Sequence, residues 1–146
     1  MNRRIKFMAW DTRKKKMWSA EEMGADELTL NPDGRGFVNV SSVSPKLSQY
    51  APHLIPLQFT GQHDDNGKEI YESFILESAD DDGNKALLVV EWDIEWRDEG
   101  DTIGFRFKLV KADVGFTGDR TESCKIIGNI HENPELVALG KEAAHA

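Results

Sequence analysis

The sequence predicts a mainly β fold, with antiparallel hairpins forming a barrel-like sheet and a short C-terminal helix. Three observations carry this. Apolar and polar residues alternate with a period of two in residues 4–10 and again in 91–109, as half-buried strands require. Gly-containing turn signals, Asp33-Gly34, Asn66-Gly67 and Asp82-Gly83, separate the alternating runs. Near the end, Asn133-Pro134-Glu135 places an N-cap residue, a first-turn Pro and an acid in helix-starting order.

A chain of 146 residues is most simply one domain, 1–146. A domain of this length buries roughly 68–70% of its unfolded surface, so one proper core needs no staples. Seven Phe, four Trp and two Tyr supply that core.

In residues 4–10, Ile5, Phe7 and Ala9 fall on one side of a strand and Lys6, Met8 and Trp10 on the other. Asp11-Thr12-Arg13-Lys14 turns the chain, and Lys16-Met17-Trp18 returns as a second strand. Asn31-Pro32-Asp33-Gly34 opens an irregular, loop-rich segment over 31–56. Beyond that turn it contains a short strand at 37–40, three further prolines and a helical turn around Leu47–Tyr50. Residues 57–61 and 68–71 flank His63-Asp64-Asp65-Asn66-Gly67 as a hairpin, and Phe74-Ile75-Leu76 extends its second strand. Asp80-Asp81-Asp82-Gly83-Asn84 is the next turn.

Leu87 to Val90 are apolar throughout, as in a strand covered on both faces. Trp92, Ile94 and Trp96 then share one face, and Glu91, Asp93 and Glu95 the other. Asp98-Glu99-Gly100-Asp101 turns into a return strand carrying Ile103, Phe105, Phe107 and Leu109. Pairing Arg97 with Thr102 sets Trp96 against Ile103, Ile94 against Phe105 and Trp92 against Phe107. The same register opposes Asp93 to Arg106 and Glu91 to Lys108. Residues 111–123 read as a loop, 124–130 as the last strand, and 140–146 as a frayed tail.

Charge is uneven. Residues 1–16 carry +6 of a chain whose net charge is −8, so the remainder carries −14. The acidic body repels phosphate at long range, while the basic hairpin can still meet an anionic partner locally. The candidate contacts are Arg4, Lys6, Arg13, Lys14, Lys15 and Lys16, beside Trp10 and Trp18. Aromatics interleaved with bases suit stacking and phosphate contact. The plainer reading is core tryptophan beneath a solvated turn whose lysines discourage edge pairing.

Catalytic and metal constellations are missing from the pattern, so no catalytic residue, metal or cofactor is assigned. An EF-hand frame on Gly83 or Gly67 ends on Val89 or Ser73, not on a closing Glu. Cys124 and the four histidines, at 53, 63, 131 and 145, lack the paired spacing of a zinc site. In an extended segment Cys124 and His131 point to opposite faces, so the thiol has no base beside it. No Gly-x-Ser-x-Gly, Walker A or Gly-x-Gly-x-x-Gly pattern occurs. A single cysteine, no signal-like start and no apolar run of about 18 residues point to the cytoplasm and away from membranes.

Three blocks carry a family resemblance. Met8-Ala9-Trp10-Asp11 resembles the opening motif of YopX-type proteins. Residues 57–61, Asp64 and Asn66-Gly67-Lys68-Glu69-Ile70-Tyr71-Glu72 resemble their central signature. Residues 127–136 resemble their closing motif. Ser73 and Phe74 stand where the family usually has Gly and Asp, and 31–56 match poorly. The resemblance implies a β-rich protein of phage or prophage, in a bacterial host, with no agreed catalytic residues. The expected role is a non-enzymatic binding or accessory module. Its partner is a host or phage protein, with nucleic acid second. The alternatives are an enzyme with an unrecognised site and a self-assembling structural protein, whose partner is a second copy of the chain.

Overall fold

A computed structural model describes residues 4–31, 36–40, 49–95, 102–117 and 123–138. The fold is mainly β and antiparallel, with a short C-terminal helix, as predicted. The chain divides into two compact units, Met1–Phe59 and Thr60–Ala146.

In the first unit, β1 (Phe7–Asp11) and β2 (Lys16–Trp18) form the expected N-terminal hairpin, with Ala9 opposite Trp18. On its other side β1 pairs with β6 (Leu54–His63), Phe7 facing Gln58. After β2 the chain forms α1 (Ala20–Ala25), a helix the alternation argument passed over. Its signal is Ser19-Ala20-Glu21-Glu22, a capping box. Glu22 N–H donates to Ser19 Oγ at 3.1 Å, and Ser19 N–H donates to Glu22 Oε1 at 3.2 Å. A small three-stranded sheet follows, β3 (Leu28–Leu30), β4 (Phe37–Asn39) and β5 (Gln49–Ala51). Met23, Phe37, Ala51, Leu54 and Ala9 form the buried cluster of this unit.

Within the expected irregular segment 31–56, the described residues include the strands β4 and β5 and the start of β6. Gln49 and Tyr50 are extended, where a helical turn was expected, and β6 already begins at Leu54 and runs through Pro56. The Pro32-Asp33-Gly34 turn, Leu47, the turn at 98–101, the Gly118-Asp119 loop and the 140–146 tail lie outside the described residues.

The second half of β6 belongs to the second unit, where it neighbours β7 (Glu69–Tyr71), and Thr60 Oγ1 donates to Ile70 O at 2.8 Å. The expected extension of this strand through Phe74 does not occur. The chain turns at Glu72-Ser73 and enters a different sheet as β8 (Phe74–Ala79). Ser73 has φ +72°, so it holds the left-handed backbone that glycine adopts without strain.

That second sheet runs β10–β9–β8–β11, with β9 (Lys85–Glu95), β10 (Thr102–Ala112) and β11 (Cys124–Asn129). Ile70, Leu76, Leu88, Val90 and Cys124 form its core cluster. Leu87 and Val89, on the opposite face of β9, are half-buried.

The β9–β10 hairpin forms with the faces predicted but with its register displaced by two residues. Trp92 opposes Phe105, Phe107 opposes Val90, and Arg106 opposes Glu91. A slip of two residues preserves every face, so Trp92 and Phe107 still share one side. Arg106 Nε lies 3.2 Å from Glu91 Oε1, and the Trp92 and Phe105 rings meet edge to face at 4.8 Å. Trp92 remains 51% exposed, so the buried apolar face ends at Val90. The helix α2 spans residues 134–138, with Pro134 in its first position. Asn133 departs from a plain N-cap, because its Oδ1 accepts from Asn129 N–H at 3.2 Å.

Candidate functional site: a basic and aromatic cleft

The tip of the β1–β2 hairpin is built on Asp11. Its carboxylate is almost fully buried. Oδ1 accepts from Arg13 N–H and Lys14 N–H, both at 2.9 Å, and Oδ2 accepts from Trp18 Nε1 at 3.2 Å. Burial pushes the Asp11 pKa up. The bonds from Lys14, Trp18 and Arg13, with His53 nearby, outweigh it and hold the pKa below the usual carboxylate value. Asp11 thus fixes both the turn and the Trp18 ring. Lys15 completes the turn with φ +53°.

The six basic residues singled out by sequence separate into three groups. Lys6 and Lys16 are drawn onto α1, Lys6 Nζ lying 3.2 Å from Glu21 and Lys16 Nζ 2.7 Å from Glu22. Lys16, with Ser19 N–H, holds Glu22 below its ordinary pKa. Lys16 and Lys14 also stand over the Trp18 ring, at 4.3 and 5.4 Å from its centroid. Arg4 and Lys15 are exposed. Arg13 and Lys14 line a cleft of about 250 Å³ within the first unit. Trp10, by contrast, is core, as the plainer reading held.

Trp18, Asp26, Tyr50 and His53 share that cleft with Arg13 and Lys14. No ion pair or side-chain hydrogen bond among the described residues engages the Arg13 guanidinium or the Asp26 carboxylate. Tyr50 is 51% exposed, and its ring crosses the bare backbone of Gly36, where an added Cβ would stand 3.4 Å from Tyr50 Cε2. Thr12 N–H donates to His53 O at 2.8 Å, which ties the two sides of the cleft together. His53 Nδ1 is buried without a hydrogen-bond partner among the described residues. Sequence reasoning missed Asp26, Tyr50 and His53, because β-pairing brings them to the hairpin from 8 to 35 residues beyond Trp18.

In the second unit the side chains suited to chemistry serve the backbone. Asp64 Oδ1 accepts from Asn66 N–H and Lys68 N–H at 2.9 Å, and Oδ2 from Ile126 N–H at 3.1 Å. Asp80 accepts from Asp82, Asn84 and Thr117 N–H groups. These Asp-rich turns are Asx-type staples. The Cys124 thiol is buried. That burial, with Asp65 and Asp64 nearby, raises its pKa and keeps it protonated. In the closing motif, Asn129 Oδ1 accepts from His131 N–H at 3.0 Å and Glu132 N–H at 2.9 Å.

Residues 6–138 match the YopX protein family. This chain belongs to that family. The three YopX blocks named from sequence are thus placed. The opening block supplies Asp11 at the hairpin tip, the central one the Asp64 staple, and the closing one the Asn129 turn. The crystal structure of protein EF1440 from Enterococcus faecalis is similar, at 25% identity and a TM-score of 0.53, over 93% of this chain and 99% of that one. No curated relative matches this YopX chain. No helix among its described residues is long and apolar enough to cross a membrane.

Proposed function

We propose that this YopX protein is a non-enzymatic binding or accessory module of a phage or prophage, working in the bacterial cytoplasm. Its contact surface is the tip of the N-terminal hairpin, and its partner presents negative charge. One observation supports this above others: Arg13 and Lys14 enter a cleft beside two aromatic rings, with the Arg13 guanidinium unengaged among the described residues. Meanwhile Asp64 and Asp80 are occupied by backbone donors, and burial keeps Cys124 protonated. The family resemblance supports the phage or prophage origin.

Retention on immobilised heparin tests the reading. At low salt the wild type is retained despite its net charge of −8. The Arg13→Glu, Lys14→Glu double variant elutes earlier, and the difference fades as salt rises. Equal elution of the two proteins at every salt concentration refutes it.

A further inference from the structure

We infer that the outer edge of β10 takes up an extended segment of a partner protein in which acidic and apolar residues alternate. The inference stands apart from the hairpin tip and rests on the sheet of the second unit alone.

The two ends of the sheet β10–β9–β8–β11 are finished differently. At one end β11 is closed by the Asp64-Asp65 turn. Cys124 O accepts from Asp65 N–H at 2.9 Å, and Ile126 N–H donates to Asp64 Oδ2 at 3.1 Å. That strand has six residues and is broken by a bulge between Ile126 and Gly128. At the other end β10 has 11 residues and keeps one register from Thr102 to Leu109. Among the described residues, no backbone bond reaches it from any strand but β9. Alternate N–H and C=O groups of β10 therefore point away from the sheet, a row that an added strand can pair.

The side chains of β10 say what that strand carries. On the core side, Phe105, Phe107 and Leu109 pack against the buried cluster yet stay only half-buried. Trp92, beside Phe105, is 51% exposed. Apolar residues on a neighbouring strand cover this row. The other side carries Arg106, Lys108 and Lys111. Glu91 opposes Arg106, but Val89 opposes Lys108 and Leu87 opposes Lys111, so β9 sets no carboxylate across from either lysine. Both lysines are exposed and make no ion pair among the described residues.

Lysine on an edge strand ordinarily discourages pairing. It does so selectively, because like charges directly across a sheet repel and opposite charges attract. A basic strand is turned away and an acidic one is admitted. A second copy of this chain is the wrong occupant: an antiparallel two-fold through Phe107 sets Arg106 of each copy against Lys108 of the other. An alternating acidic and apolar strand satisfies the open backbone, the Phe row and the lysines together, which is the β-augmentation mode of peptide recognition.

Fluorescence anisotropy on the full chain at moderate salt tests this, with the labelled peptide Glu-Val-Glu-Val-Glu-Val-Glu-Val as probe. The alternating peptide binds. The same residues in block order, Glu-Glu-Glu-Glu-Val-Val-Val-Val, bind about tenfold more weakly, because their acids fall on both faces of the strand. Lys108→Glu with Lys111→Glu weakens binding of the alternating peptide about tenfold, whereas Lys108→Arg with Lys111→Arg binds as wild type does. Both lysines are exposed, so thermal melts of these variants coincide with wild type. The Arg13→Glu, Lys14→Glu variant binds the peptide unchanged. The proposal is overturned if the alternating peptide does not bind, if the two peptides bind alike, or if charge reversal at Lys108 and Lys111 leaves affinity where it was. Loss of binding in the Arg13→Glu, Lys14→Glu variant also overturns it, by placing the peptide at the hairpin tip. So does a wild-type dimer in sedimentation that Lys108→Glu tightens, because the occupant is then a second copy.

Discussion

Replacing Asp64 by alanine takes one acceptor away from three backbone donors at once. Asn66 and Lys68 lie in an exposed turn, so their N–H groups recover water and each lost bond costs about 1 kcal/mol. Ile126 N–H is half-buried in β11 and loses a bond to a charged group, which costs about 1.5–3 kcal/mol. The total is about 4 kcal/mol, or roughly 8–16 °C in melting temperature for a chain of this length. Asp64→Asn keeps an oxygen for the turn but sets an NH2 group against Ile126 N–H, so it costs about half as much. The acid dependence follows. Burial raises the Asp64 pKa, but the bonds from Ile126, Lys68 and Asn66, with the Lys68 charge, hold it below 3.8. The unfolded chain therefore binds the proton first. The stability from this carboxylate is present above pH 3.8 and is lost as pH falls below that value through the lowered pKa. Urea titrations between pH 7 and pH 3 measure both effects. A midpoint for Asp64→Ala within about 1 kcal/mol of wild type refutes the staple. So does an Asp64→Asn variant that keeps the full acid-dependent loss.

Two further substitutions test the other signature turns. In Gly128→Ala the new methyl falls against Asn133 Oδ1, 2.8 Å from its Cγ and 3.1 Å from its Cβ. It displaces the side chain bonded to Asn129 N–H, at a cost of about 1–3 kcal/mol in urea unfolding, and Asn133→Ala in the same chain recovers part of that loss. Ser73→Gly relieves a left-handed backbone at φ +72° and raises the unfolding midpoint by an amount equivalent to about 0.5–1 kcal/mol; a lowered midpoint refutes the strain.

The faces of the long hairpin were legible because alternation encodes them directly. Its register was not, because a shift of two residues preserves the alternation. Both registers also oppose acids to bases. Asp93 with Arg106 and Glu91 with Lys108 make one consistent set, and the observed Glu91–Arg106 pair makes another. The helix at Ala20–Ala25 had a readable capping box but only six residues, too few for a periodic apolar stripe. The corner at Ser73 was hidden because serine replaces the residue type that advertises a positive φ. Proline spacing in 31–56 suggested disorder of pattern, yet Pro56 lies within β6, in the stretch where it pairs with β1.

The cleft was the least legible feature, for a physical reason. Its lining comes from the hairpin tip, the end of α1 and the β5–β6 corner, and only non-local strand pairing gathers these segments. Of the residues that line it, Asp11 alone lies within the three signature blocks, and its carboxylate faces inward and holds the tip together. The YopX signature therefore specifies turns, staples and core. The exposed lining of the cleft, Arg13, Lys14, Asp26 and Tyr50, projects from segments that those turns merely hold in place. A family built this way can exchange the exposed lining without disturbing the buried carboxylates beneath it, since surface substitutions away from such features usually cost within about 0.5 kcal/mol. A change at the exposed Arg13 and Lys14 is thereby expected to move heparin retention while leaving the melt where it was.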